Sequence, residues 1–283
     1  MLEVTNLCKR YDEFALQNVS FVVPEGMIVG FIGQNGAGKT TTLKSIMRTV
    51  LPDSGKVVVC GRDMAEYEKQ NKQAISFTTG AFDYYPNYTL KKIAKVYSSF
   101  YDEWNDEDFL QYCRRFSLNT DKKVRELSAG MKVKFALALA MSHKARLFIF
   151  DEPTSGLDPI ARDELLDVFR DIVDDGDKSI LFSTHITSDL EKCADIILFI
   201  AEGKILLEEG KDELLEQHVI VKGSLEQLTD GLKQRLISFK KHQFGFTALM
   251  KRADLRPTDN LAEEKPTLDD IMVYYNKKGV TTC

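Results

Sequence analysis

Along residues 1–25 apolar and polar positions alternate, and Phe21-Val22-Val23 runs into Pro24-Glu25-Gly26. A period of two that ends in a proline–glycine break predicts antiparallel strands and a turn. The pattern then changes. Met27-Ile28-Val29-Gly30-Phe31-Ile32 is one apolar run, short enough for a strand buried on both faces. A glycine-rich turn follows it. Leu43, Ile46, Met47 and Val50 then fall at i, i+3, i+4 and i+7, which predicts a helix starting near Gly38. Leu147-Phe148-Ile149-Phe150 and Ser179-Ile180-Leu181-Phe182-Ser183 repeat the buried-strand pattern, and Asp195–Ile200 with Ile205–Leu207 flank Glu202-Gly203-Lys204 as a hairpin would.

Residues 83–145 mix aromatic, lysine and acidic positions, with Phe135 to Met141 as a buried helix, so a mainly helical insertion is expected there. Strands separated by helices imply an α/β fold. The expected architecture is a mostly parallel sheet flanked by helices, with an N-terminal antiparallel β-subdomain, the helical insertion, and a C-terminal α/β or helical extension. From about residue 211 the pattern weakens, yet Phe239, Phe244, Phe246 and Leu249 make this stretch too apolar for a free linker.

Composition narrows the class. With 43% hydrophobic and 29% charged residues in a 283-residue chain, a packed core is feasible and disorder is not the default. The net charge of −5 argues against general affinity for nucleic acid, which needs a basic surface. Five scattered cysteines (Cys8, Cys60, Cys113, Cys193 and Cys283) form no C-x-x-C pair, which favours free thiols in a reducing compartment. No signal peptide is expected at Met1-Leu2-Glu3-Val4, and no apolar run approaches the roughly 18 residues that cross a bilayer.

The turn before the first helix reads Gly33-Gln34-Asn35-Gly36-Ala37-Gly38-Lys39-Thr40, which fits the P-loop pattern G-x-x-x-x-G-K-[ST]. Glycines let successive N–H groups point at phosphate oxygens, and the helix start adds partial positive charge. Lys39 is expected to reach the β- and γ-phosphates, and Thr40 to ligate Mg²⁺. Gly33, Asn35, Gly36, Gly38, Lys39, Thr40 and Thr41 are thus the candidate nucleotide ligands. A buried strand ending in Asp151-Glu152 places one carboxylate, Asp151, for Mg²⁺ and a second, Glu152, to orient or deprotonate the attacking water.

Three further segments narrow an NTPase to one family. Leu127-Ser128-Ala129-Gly130-Met131 resembles the signature motif of ATP-binding cassette (ABC) ATPases, usually L-S-G-G-Q. Ser155-Gly156-Leu157-Asp158 resembles their D-loop, and His185 their switch histidine. The order and spacing of these elements are similar to the family from residue 1 to about 210, so residues 1–210 are expected to form the cassette and 211–283 an accessory extension. The resemblance implies a P-loop NTPase core whose cofactors are ATP and Mg²⁺. It implies two subunits packed head to tail, each ATP held between the P-loop of one and Ser128 and Gly130 of the other, with Asp158 nearby. His185 would hydrogen-bond the γ-phosphate and hold Glu152 and water; as an ordinary core histidine it would instead cap the next helix. Tyr11 would stack on adenine, or else be an exposed strand aromatic. The partners implied are transmembrane permease subunits and a second cassette, as homodimer or heterodimer, at the cytoplasmic face of the membrane. No nucleic-acid partner is expected. An exporter of a peptide, toxin or drug fits best; a soluble ABC ATPase acting on ribosomes or DNA, and a low-turnover nucleotide sensor, are the other readings.

The pattern also departs from the family. Gly80 stands where a glutamine usually touches Mg²⁺, leaving water, Thr78, Thr79 or Asp83 to fill that place. Ala129 and Met131 replace glycine and glutamine in the signature. The aromatic, acidic loop Tyr97–Trp104 lies where the family docks its membrane partner, although Trp104 tucked into its own subdomain is an equal reading. The stretch Pro266–Tyr275 resembles the terminal helix of ABC-2-type exporter ATPases, with Leu268, Ile271 and Tyr275 on one packed face.

Overall fold

The computed structural model describes residues 1–79 and 85–280. The N-terminal strands β1 (Leu2–Arg10) and β2 (Ala15–Val23) join β4 (Ser54–Val59) and β5 (Arg62–Asp63) in an antiparallel sheet of order β2-β1-β4-β5. Strict alternation in β1 breaks between Val4 and Leu7, where the register shifts and Asn6 takes a φ of 48°. The bulge lets Leu2, Val4 and Leu7 all face the core.

The central sheet has the order β10-β9-β3-β8-β7-β6. Its strands are β3 (Ile28–Ile32), β6 (Ile75–Thr79), β7 (Leu147–Asp151), β8 (Ser179–Thr184), β9 (Ile196–Ala201) and β10 (Lys204–Gly210). All neighbours pair in parallel except β10, which returns antiparallel beside β9 as a hairpin. Strands β3, β7 and β8 are buried along their whole length, as continuous apolar runs covered on both faces must be. One face packs against the N-terminal sheet and α1 (Lys39–Ile46), in a cluster that joins Phe31, Leu43, Ile149 and Leu181 to Leu2 and Phe21. The other face meets α6 (Pro159–Val173) and α7 (Thr187–Cys193), where Phe169 stacks on Phe150 with centroids 4.7 Å apart and meets Phe182 edge-on at 5.5 Å.

Helix α1 is shorter than its periodicity suggests. Met47 is its C-cap, Arg48 has a φ of 55°, and Val50 lies beyond the helix. A left-handed residue closes the turn, so the i+7 position never joins the helical face. After α2 (Glu68–Gln73) and β6, the insertion supplies α3 (Leu90–Ser98), α4 (Asp106–Arg115) and α5 (Ala129–Met141). Thr89 and Asn105 cap the first two through side-chain oxygens. Trp104 packs against Phe109 and Tyr97 within this region, and its indole N–H donates to Asp106.

The extension begins with α8 (Lys211–Gln217). It is mainly an antiparallel sheet of order β12-β13-β11-β14, made of β11 (His218–Gly223), β12 (Leu236–His242), β13 (Gly245–Lys251) and β14 (Ala262–Glu264), with α9 (Asp230–Lys233) and α10 (Leu268–Val280). Leu268 and Ile271 are fully buried in the same core as Leu190 of α7. Tyr275 is half-buried, and its hydroxyl bonds Nε2 of buried His218 at 2.9 Å. Among the described residues no helix is long and apolar enough to cross a membrane.

Candidate functional site

Three parallel strands deliver the site. β3 ends at Ile32, and the chain turns through residues 33–38 into α1. Gly33 is forced: a Cβ there would lie 2.4 Å from the carbonyl oxygen of Ile200. Gly38 is forced as well, since its φ is 114° and a Cβ would meet Leu16 at 2.7 Å and Phe14 at 2.9 Å. Gly38 N-caps α1 without a side-chain bond, and no acidic residue occupies the first turn. The first N–H groups of the helix therefore keep their capacity to bind an anion. Asn35 and Gly36 are exposed at the loop's crest, and Thr41 is half-buried in the first turn.

Lys39 is 6% exposed, and its ammonium has three oxygen partners. It donates to the carbonyls of Gly33 at 2.7 Å and Gln34 at 3.3 Å, and pairs with Glu152 Oε1 at 3.2 Å. The Thr40 hydroxyl donates to Asp151 Oδ2 at 2.8 Å. Asp151 closes β7 and is buried; its other oxygen accepts from the Ser183 hydroxyl at 2.6 Å. Ser183 sits opposite Asp151 in the β7–β8 register. The same Ser183 Oγ accepts from the Glu152 N–H at 2.9 Å, at a residue whose φ of 52° is unusual for glutamate. Glu152 Oε2 completes the chain by bonding His185 Nδ1 at 2.8 Å. His185 follows β8 on an exposed bend and does not cap α7, which has Ile186 at its N-cap.

Lys39, Thr40, Asp151, Glu152 and His185 thus form one bonded cluster. Ser183 belongs to it although neither composition nor motif singled it out; the one cue was a hydroxyl at the end of a buried apolar run. Hard oxygen donors at this point suit Mg²⁺: a Thr40 hydroxyl that gives its proton to Asp151 keeps lone pairs for a cation. No group of three His, Cys, Asp or Glu side chains among the described residues could hold a metal, so such an ion would take most of its ligands from water and phosphate.

The other expected ligands lie apart from this cluster. Tyr11 follows β1 and is 46% exposed. Its N–H donates to the Phe14 carbonyl at 2.7 Å, which ties it to the residue packed on Gly38. Asp53 accepts from Lys9 Nζ at 2.8 Å and the Arg10 N–H at 2.7 Å, bonds that hold its carboxyl below the usual range. Ser128 N-caps α5, accepting from the Met131 N–H at 3.2 Å. Gly130 lies against the start of α6, where a Cβ would come within 3.0 Å of Ala161 Cβ. Asp158 caps α6, accepting from Ile160 and Ala161 N–H groups at 3.0 Å each. Thr78 and Thr79 end β6, with Thr79 level with Asp151. Gly80 and Asp83 lie outside the described residues.

A family profile described as "ABC transporter" matches residues 16–155. The chain is 28% identical over 269 residues to ABC transporter ATP-binding protein YtrB of Bacillus subtilis, covering 94% of this chain and 92% of that protein. It is 34% identical over 215 residues to the lantibiotic transport ATP-binding protein SrtF of Streptococcus pyogenes, covering 75% of this chain and 92% of that one. A solved structure described as the ATP-binding subunit of an ABC transporter superposes with a TM-score of 0.69 at 28% identity, over 77% of this chain and 92% of its own.

Proposed function

This chain belongs to the ABC transporter family as an ATP-binding, ATP-hydrolysing subunit, and from that premise we propose that Glu152 and His185 activate the attacking water while the P-loop holds the phosphates. The observation that carries this reading is the unbroken chain of contacts from Lys39 through Glu152 to His185. A nucleotide bound in the loop offers phosphate oxygens that compete for the Lys39 ammonium. Lys39 then exchanges carboxylate for phosphate, and Glu152 is left to His185 and to water. Glu152 takes a proton from the water as the water oxygen bonds to the γ-phosphorus and the bond from that phosphorus to the β–γ bridging oxygen breaks, ADP leaving; His185 holds the carboxylate and the transferring group in line. A bound Mg²⁺, held by Thr40 and on Asp151 directly or through water, would neutralise charge on the β- and γ-phosphates. Tyr11 stacks on the adenine.

The signature half of the site belongs to a second subunit in this reading. The Ser128 hydroxyl accepts from its own helix and keeps its proton to donate. With the Gly130 N–H it grips a γ-phosphate held by the P-loop of another cassette, this chain or a different one. Closing on ATP and loosening after hydrolysis would drive transmembrane permease subunits at the cytoplasmic face of the membrane. Export of a peptide, toxin or drug follows from relatives named for lantibiotic transport, Nod factor export and multidrug transport.

The test is phosphate release by Glu152→Gln. The exchange keeps the shape and removes the basic oxygen, so turnover should fall at least about a hundredfold while ATP still binds. Turnover surviving at the native rate would remove Glu152 from the base role.

A further inference from the structure

Asp189, in the first turn of α7, is fully buried. A carboxylate in that position is costly unless each oxygen is bonded, and its partners come from three separate segments. Oδ2 accepts from Thr154 Oγ1 at 2.7 Å and from Thr184 Oγ1 at 3.2 Å. Oδ1 pairs with Arg162 Nε of α6. Arg162 also reaches the Ser188 hydroxyl at 2.7 Å. Thr154 stands two residues after Glu152, and Thr184 immediately before His185. The Thr184 hydroxyl further accepts from the Ile186 N–H at 3.0 Å, so it fixes the bend that carries His185. Arg162 lies one turn into the helix that Asp158 caps.

We propose that Asp189 is a positioning residue: through Thr154, Thr184 and Arg162 it sets Glu152 and His185 against each other and registers both to the start of α6. The proposal rests on the reading of Glu152 and His185 as the water-activating pair. Their contact is a single 2.8 Å hydrogen bond between an exposed bend and a residue at positive φ. A misplacement of about 1 Å between such groups can cost on the order of a hundredfold in rate. The Asp189 carboxylate is bonded to the chain on both sides of that contact, at Thr154 and at Thr184.

The experiment pairs threonine variants in the full chain, with kcat counted per nucleotide-binding site. Thr154→Val and Thr184→Val keep the side-chain shape and lose the donor to Asp189, and at position 184 also the acceptor of the Ile186 N–H, which makes Thr154→Val the cleaner of the two. Thr154→Ser and Thr184→Ser keep the donor and lose a methyl group. The valine variants should lower kcat about tenfold or more with the KM for ATP within about threefold, and the serine variants should restore kcat. A packing role predicts the reverse, since valine fills the buried space better than serine. Native kcat in both valine variants, or serine variants as impaired as valine, would overturn the proposal. Should a valine variant fail to fold, Arg162→Gln, at the cluster's accessible edge, carries the same expected split between kcat and KM, and a native kcat there overturns it equally. Glu152→Gln separates the two levels: if it is inactive while the valine variants are native, the positioning proposal fails alone; if it is fully active, the water-activating pair fails first.

Discussion

Replacing Ser183 with alanine removes one oxygen that serves both carboxylate residues of the site. Its hydroxyl donates to Asp151 at 2.6 Å and accepts from the Glu152 N–H at 2.9 Å, and the residue has no solvent exposure. A hydrogen bond to an ionised group contributes about 1.5–3 kcal/mol, and alanine offers Asp151 Oδ1 no replacement. The Glu152 N–H loses less, because the Ser183 carbonyl also accepts from it at 3.2 Å. The Glu152 backbone, at a φ of 52°, then keeps a left-handed conformation that costs about 1–2 kcal/mol with weaker support. Ser183→Ala should therefore destabilise the fold by about 2 kcal/mol and lower the melting temperature by roughly 4–8 °C. Urea titration and thermal melts measure the first effect. ATP turnover measures the second, which should drop because Asp151 and Glu152 both lose a fixed partner. A loss under about 0.5 kcal/mol together with native turnover would show that Ser183 does not organise the site.

Gly38→Ala would put a methyl group 2.7 Å from Leu16 at a φ of 114°; it should abolish ATP binding and cost more than about 1 kcal/mol, read by nucleotide titration and urea unfolding. His143 is 4% exposed and stacks on Tyr101 with centroids 3.7 Å apart, and burial pushes its pKa down to about 4 from an ordinary 6.5, opposed in part by the Gln73 backbone. A depressed histidine pKa means that the unfolded chain binds the proton more readily. Stability from this site is complete above pH about 6.5 and is lost as pH falls toward 4, by about 3 kcal/mol over that window. His143→Phe keeps the stacking and should flatten this part of the stability–pH curve; an unchanged slope in urea midpoints would contradict it.

How far the sequence carried each part depends on what kind of contact was involved. The P-loop was legible because Gly33 and Gly38 answer to backbone demands that only glycine meets, within a few residues of Lys39 and Thr40. Asp151 and Glu152 were legible because a buried strand must end where they stand. Ser183, Thr154 and Asp189 were not, since each acquires its partner only when β7, β8 and α7 are brought side by side. The sheet of the extension was hidden for another reason. His218 to Val221 are buried in succession, so β11 shows no alternation, and β12 carries a register shift between Leu236 and Ser238. The Trp104 ring, which the pattern left open between a docking surface and its own subdomain, packs on Phe109 and Tyr97.

The role of Glu152, held by His185 at 2.8 Å, as the group that activates the water is tested most directly by a single turnover of bound nucleotide. ATP labelled on the α-phosphate is loaded with magnesium onto the native chain and onto Glu152→Gln, quenched over time, and the bound ATP and ADP are separated. The native site should convert its ATP to ADP while the variant holds ATP intact over the same interval. Cleavage in the variant at the native rate would mean that some other group activates the water.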